Sequence, residues 1–394
     1  MKRFLSFLSV LVVVLSSLCV AVSADNNDPV TLNVFNWGEY ISDGSEDSLD
    51  VNAEFEKYYE QKYGVKMTVN YSNYDTNETM YAKLKAGGAN YDVITPSDYM
   101  ISRLIKEDML EKLNFSNIPN YKNVDEKVIK TSLSYDPNSE YSVPYTWGTA
   151  GIIYNKTMVS APLEGWADMW DEQYSGKILM FNNPRDAYAV ALSLLGYSYN
   201  TTDKAQWDAA TEKLKEQKPL VQAYIADEVF NKMESGEAAI APYYAGDFKT
   251  MQANNPDLEF VFPKEGFNVF VDAMCIPKGA QNKAAAEEYI NFMCSHEIAL
   301  ANAEMIGYSS PITSVEQDPE YSYYNDEVVY PSAEILSRGE EFLYLDADTQ
   351  KIMDDGWSQV KRTEIGSFVY AIVALVLVAA TAFIIVKRVR KKAE

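Results

Sequence analysis

Short β-branched or aromatic runs alternate with amphipathic stretches through most of the chain, and that alternation predicts an α/β fold. A strand is expected at 30–36, a helix at 51–63 stopped by Gly64, and a second strand at 65–71. A helix at 77–86, ended by Gly87-Gly88, precedes a third strand at 91–95, which leads through Pro96-Ser97 into a helix carrying Ile101, Leu104 and Ile105. The scheme repeats further on. A strand at 177–181 runs into Asn183-Pro184, an N-cap and first-turn proline, which opens a helix to 195. Then come a helix at 204–216, a strand at 238–241, a helix after Tyr244, a strand at 269–276 and a helix at 283–293. The last helix of this body is expected at 348–361, and no internal repeat or low-complexity block is visible.

Two apolar runs stand outside the scheme. Residues 368–386 carry no charge and are followed at once by Lys387, Arg388, Arg390, Lys391 and Lys392. Such a run matches a hydrocarbon core of ~30 Å, and adjacent cations favour the cytoplasmic side. At the other end, Lys2-Arg3, an apolar stretch from Phe4 and Val22-Ser23-Ala24 before Asp25 read as an export signal, residues 1–24. The expectation is a single-pass protein of the cell membrane: an extracytoplasmic body, a stalk at 363–367, a transmembrane helix at 368–386 and a basic cytoplasmic tail at 387–394. An uncleaved N-terminal anchor and a buried C-terminal core helix are the competing readings, and the flanks favour neither. Cys19 is preceded by Leu18, where lipid attachment resembles a rule requiring a small residue.

The roughly 340 residues between these ends are too many for one typical core and suit two lobes. Segments rich in Tyr, Pro and Asn, 136–145 and 256–268, are the candidate crossings, and ligands commonly sit where lobes meet. The net charge is −23, and the body alone is more negative once the basic ends are set aside. That field repels nucleic acid and draws in cations. Beyond Cys19 the chain has two cysteines, Cys275 and Cys294, which could pair outside the cell or remain two buried thiols. His296 is the single histidine; within Cys294-Ser295-His296-Glu297 it reads as a solvated or helix-capping residue, not the base of a catalytic triad.

The chain has 29 tyrosines, and aromatics recur beside carboxylates at strand ends: Phe35-Asn36-Trp37-Gly38-Glu39-Tyr40, Pro242-Tyr243-Tyr244-Ala245-Gly246-Asp247 and Phe270-Val271-Asp272. Aromatic faces attract ammonium groups by ~0.5–2 kcal/mol, and hydrogen bonds to a charged group add ~1.5–3 kcal/mol. Any one triplet is compatible with core aromatics and solvated acids. Together they suggest a slender polycation.

At these residues the chain resembles the extracytoplasmic spermidine and putrescine binding proteins of polyamine uptake transporters, from about residue 30 to 362. The signatures are Asn36-Trp37-x-Glu39-Tyr40, Tyr74 with Asn77 through Lys85, Pro96-Ser97-Asp98-Tyr99, Ser142 through Gly148, Pro263-Lys264-Glu265-Gly266 and Ile306-Gly307-Tyr308. The resemblance implies a two-lobed periplasmic-binding-protein-like type II fold with a ligand cleft between lobes: 29–146 and 271–330 in lobe 1, 147–270 and 331–362 in lobe 2. It also implies a ligand set. Trp37, Tyr40, Ser97 and Tyr99 form the first lobe's wall, Glu39 stands near one amine, and Asp186 and Asp272 are acidic ligands. Tyr244 and Phe270 stand where tryptophan is usual, Asp247 adds an acid, and Tyr308 falls near the cleft. Asn183 replaces an aspartate, and Phe342 occupies the place of a glutamine.

The implied function is binding of putrescine or spermidine for an ATP-driven importer, without catalysis, cofactor or metal. No G-x-x-x-x-G-K-[ST] loop occurs, so the permease and ATPase are other chains. Three alternatives stay open: a polyamine sensor or adhesion protein without transport, a ferric-iron receptor using tyrosinate ligands, and a membrane-tethered hydrolase using an Asp/Glu pair.

Overall fold

The computed structural model describes residues 28–88 and 90–362. The described residues form two compact units, 28–148 with 270–330 and 149–269 with 331–362, so the chain passes from one to the other at 148/149, 269/270 and 330/331. The resemblance had placed the first two crossings at 146/147 and 270/271. The chain lays down β1 (Val30–Trp37), β2 (Met67–Tyr74) and β3 (Val93–Ile94) in the first unit and leaves it along β4 (Ser142–Asn155). In the second it forms β5 (Ile178–Phe181), β6 (Val221–Ile225), β7 (Ile240–Tyr244) and β8 (Leu258–Val261), then returns along β9 (Phe267–Cys275). A late two-residue strand, β10 (Gly339–Glu340), pairs with the start of β9.

In the first unit β1 lies between β2 and β3, parallel to both, and β9 runs antiparallel to β3 through Ile94 and Cys275. β2 begins and ends later than expected because its register with β1 continues to Trp37 opposite Tyr74. Helix Val51–Tyr63 starts where the Asp50 carboxylate accepts from the Ala53 amide and stops at Gly64, whose φ of 67° is the left-handed conformation glycine adopts freely. It buries Val51 and Phe55, the latter edge-on to Tyr289 of helix Lys283–Met293 at 5.0 Å. Cys275 and Cys294 are buried free thiols, and burial pushes Cys294 up to about 12. His296 opens helix His296–Ile306 exposed, 2.9 Å from the Ser314 hydroxyl and 3.3 Å from Asp318.

In the second unit β4 is antiparallel to β7 and β8, and β5 is parallel to β6 and β7. Helices Pro184–Leu194, Lys204–Gln217 and Ala347–Lys361 pack on one another. Tyr188 and Thr211 share a buried hydrogen bond of 2.6 Å, and Trp207 lies edge-on to Tyr188 at 5.2 Å. Gly356 lets the last helix approach this pair.

The fold class carries one correction, the expected C-terminal transmembrane helix. Among the described residues no helix is long and apolar enough to cross a membrane. The last described helix, Ala347–Lys361, has 15 residues with Asp348, Lys351, Asp354, Asp355 and Lys361 among them. It is ~22 Å long, short of a hydrocarbon core of ~30 Å. The expected span at 368–386, its stalk and basic tail, the signal at 1–24 and Cys19 all lie outside the described residues.

A Cβ at Gly356 would sit 2.3 Å from the Tyr188 hydroxyl and 2.6 Å from the Thr211 hydroxyl. Gly356→Ala should therefore lower stability by about 1–3 kcal/mol despite its better helix propensity. Chemical denaturation checks this, and a stability equal to or above that of the parent refutes the close approach.

Candidate functional site

Parallel strands deliver their carboxyl ends to one edge of a sheet, where α/β proteins gather ligand groups. In the first unit β1 ends in Trp37 and leads to Tyr40, β2 leads to Asn77 and Glu78, and β3 leads to Ser97 and Tyr99. Antiparallel β9 brings Asp272 among them through an isolated bridge to Ser97. The Tyr40 hydroxyl donates to Asp272 Oδ2 at 2.7 Å and lies 2.6 Å from Thr146 Oγ1. Tyr145 holds Tyr40 in place by donating to its carbonyl at 2.7 Å.

Asp272 is 4 % exposed, and its Oδ1 has no hydrogen-bond partner. Burial pushes its carboxyl up to about 6, while hydroxyls of Ser97 and Tyr40 act the other way. The strand thus holds a carboxylate whose charge is poorly solvated and only half satisfied. A cation with N–H donors would complete it.

Aromatic rings wall this group. Tyr308 lies edge-on to Tyr40 at 5.0 Å, and Phe270 is 6.2 Å from Tyr308. A Cβ at Gly148 would come within 3.0 Å of Phe270 Cζ and 3.2 Å of Tyr308 Cδ1, so the glycine makes room for both rings. Trp37 is half-buried; its indole N–H donates to the Thr95 carbonyl at 2.9 Å and its ring tilts on Tyr74 at 4.6 Å. Tyr99 is buried and donates to Glu78 Oε1 at 3.0 Å. Glu39 is exposed at φ 48° and makes no hydrogen bond to the Asp272 group among the described residues.

In the second unit β5 and β7 are parallel neighbours, and each runs directly into a helix with a buried acid at its third position. These acids are Asp186 in Pro184–Leu194 and Asp247 in Ala245–Asn254, 5 % and 8 % exposed. A helix N-terminus favours negative charge there. Burial holds the Tyr244 phenol well above its ordinary range, followed by the charge of Asp186, to which Tyr244 also hydrogen-bonds. Tyr243 is raised by burial and by the charges of Asp247, Asp227, Asp186 and Glu228, a strongly negative neighbourhood. Phe181 completes the aromatic group, 5.4 Å from Tyr244 and 5.7 Å from Tyr243.

Asn183 and Phe342 have structural employment. Asn183 caps its helix, accepting from the Arg185 amide at 3.0 Å. Phe342 is buried against the Arg185 guanidinium at 4.6 Å, and that guanidinium donates to the Tyr199 and Leu343 carbonyls and Asn200 Oδ1. The expected ligand residues therefore fall in two groups, Trp37, Glu39, Tyr40, Ser97, Tyr99, Phe270, Asp272 and Tyr308 in the first unit and Asn183, Asp186, Tyr244 and Asp247 in the second. Sequence reasoning missed Asn77, Glu78, Thr146 and Gly148. All four lie inside the quoted signatures, yet none is an aromatic–acid pair.

A family model, bacterial extracellular solute-binding protein, matches residues 53–327. The chain is 37% identical over 326 residues to a spermidine/putrescine-binding periplasmic protein of Salmonella typhimurium, covering 81% of this chain and 88% of that one. It is 30% identical over 378 residues to a putrescine-binding periplasmic protein of Pseudomonas aeruginosa, covering 92% and 99%. Among solved structures, a spermidine/putrescine ABC transporter substrate-binding protein of Streptococcus pneumoniae superposes with a TM-score of 0.69 at 35% identity, over 84% of this chain and 98% of that one. The two units are the lobes of an α/β periplasmic-binding-protein fold, and the chain belongs to the bacterial extracellular solute-binding protein family.

Proposed function

We propose that the protein binds polyamines, putrescine or spermidine, outside the cytoplasm and delivers them to an ABC importer whose permease and ATPase are separate chains. It does no covalent chemistry. The observation that carries the reading is Asp272, a buried carboxylate with one oxygen unpartnered, walled by Tyr40, Phe270 and Tyr308. An ammonium group supplies the missing donors and charge, and ring faces add cation–π attraction. The second unit offers a comparable aromatic and acidic surface at Tyr243, Tyr244, Asp186 and Asp247. The names of the relatives, spermidine/putrescine-binding and putrescine-binding, support the same ligand class.

Calorimetric titration with putrescine, cadaverine, spermidine and spermine tests the reading directly, and no heat with any of the four would end it. Length preference follows from the residues of the second unit. Asn183 is neutral and Phe342 is apolar and stacked on a cation, so a third ammonium there would be desolvated without full pairing. Putrescine should bind at least as tightly as spermidine. Asn183→Asp keeps the helix cap, because aspartate caps as well as asparagine, and should shift preference toward spermidine about tenfold, or ~1.4 kcal/mol. A wild-type preference for spermidine above tenfold that the substitution leaves untouched would remove Asn183 from the site.

Asp272→Asn should act in opposite directions on binding and on stability. Losing the charge facing an ammonium should cost about 2–4 kcal/mol of polyamine affinity. For the ligand-free protein, the folded-state value of about 6 lies above the ordinary carboxyl value of 3.8, so the folded state binds the proton more tightly than the unfolded chain. Stability therefore falls as pH rises from 3.8 to about 6 and stays lower above it. The asparagine variant escapes that loss, on the order of 2–3 kcal/mol, and should melt higher than the parent at neutral pH without ligand. A variant that binds as the parent does, or melts lower at neutral pH, contradicts the assignment of an unpaired buried charge.

A further inference from the structure

We infer that Asn77 is the positioning residue of the first unit's ammonium site: its side-chain amide sets the directions of the Ser97 and Tyr99 hydroxyl protons and turns the Ser97 proton toward Asp272. The inference rests on the polyamine reading only for the identity of the ligand.

Asn77 is the first residue of helix Asn77–Ala86 and is 1 % exposed. Its side chain is not needed to start that helix. Thr76 caps it, accepting from the Thr79 amide at 3.1 Å, with Thr79 reaching back to close a capping box. The Asn77 amide points instead to the end of β3. There its Oδ1 accepts from the Ser97 backbone N–H at 3.2 Å. A backbone N–H can only donate, so this bond assigns the amide's orientation by chemistry. Nδ2 is then the donor, 3.1 Å from Ser97 Oγ and 3.1 Å from the Tyr99 hydroxyl oxygen.

Each hydroxyl that accepts from the amide has its single proton left to donate. Tyr99 spends that proton on Glu78 Oε1 at 3.0 Å. Ser97 stands at the N-cap of helix Asp98–Lys106 yet makes no side-chain cap bond, which leaves its proton for another acceptor. The acceptor facing it across the isolated bridge is Asp272. The hydroxyl of Ser97 favours the charged carboxylate, the direction expected of a donor. The Tyr74 and Tyr145 phenols also sense the Asp272 charge, which opposes their own ionisation, and neither is linked to the amide. Asn77 therefore acts on the Asp272 carboxylate through Ser97.

The test reads the Asp272 carboxyl directly, by carbon-13 NMR of the ligand-free full-length protein across pH 4–8, with Asp272→Asn identifying the signal. Ser97→Ala should move the titration midpoint upward by about half a unit or more, since the charged form loses a donor. Asn77→Ala should move it the same way, and the double variant should move it little further than Ser97→Ala alone. Putrescine titrations of the same variants at pH 6 and 8 should show a larger affinity loss at the lower pH. Additive midpoint shifts, or an Asn77→Ala midpoint equal to the parent's, overturn the relay. Should Asn77→Ala fail to fold in a thermal melt, Ser97→Ala decides: an unmoved midpoint there overturns the inference. The NMR midpoints stand even if no polyamine binds, so failure of the ligand reading and failure of the relay are separable.

Discussion

A carboxylate buried without a cationic side chain to neutralise it is the constraint on which the first unit's site depends. Asp272 lies on β9, 4 % exposed, with the Tyr40 phenol on Oδ2 and no hydrogen-bond partner on Oδ1. An arginine or lysine in that place would satisfy the carboxylate permanently, and an incoming ammonium would have to displace it. Hydroxyl donors from Tyr40 and Ser97 hold the group in position without cancelling its charge. The surrounding architecture follows from this need. Tyr145 fixes Tyr40 through its carbonyl, Thr146 shares the Tyr40 hydroxyl, and Gly148 leaves space for the rings of Phe270 and Tyr308. β4 and β9 supply most of these groups, and both strands also run on into the second unit.

The second unit handles its acids differently. Asp186 and Asp247 sit at the third position of helices that begin where β5 and β7 end, so helix N-termini favour their charge. Arg185, one residue before Asp186, is buried and turned to backbone carbonyls, Asn200 and the face of Phe342. That guanidinium pins the segment around β10 to the start of the Pro184–Leu194 helix. Phe342 thus becomes packing, although the resemblance had put a ligand residue at its place.

Features written in local chemistry were legible in the sequence. The cap at Asn183-Pro184 and the stops at Gly64 and Gly87 use residues whose side chains or missing Cβ act within one turn. Features set by pairing over distance were less so. β2 was placed too early because Ser72 and Asn73, just before its last residue Tyr74, are polar, and only the register with β1 holds them in the strand. β4 was missed altogether: Ser142–Asn155 contains proline and two glycines and reads as a loop until its antiparallel partners β7 and β8 are seen. Glu39 was legible as an acid in a motif, but its left-handed backbone and exposure were not. The transmembrane expectation rested on the charge-free run at 368–386, the cations that follow it and the export signal, all outside the described residues, and nothing among the described residues supports it.

The 29 tyrosines show why composition points to a ligand class and not by itself to individual residues. Many are held by partners that have nothing to do with a cation: Tyr188 by Thr211, Tyr289 by Phe55, Tyr58 and Tyr63 by Glu288. Glu288 is itself a buried carboxylate walled by aromatics, yet it already receives Lys62 at 2.7 Å, and its carboxyl is held below its ordinary value. Asp272 differs in that, among the described residues, no lysine or arginine reaches it, and its carboxyl is raised. The same ingredients, acid and phenol, thus make a structural knot in one place and the proposed ammonium site in another. The deciding variable is whether the fold supplies the cation. Aromatic–acid proximity is visible in a sequence, whereas the presence or absence of an internal cation is a property of the packed chain.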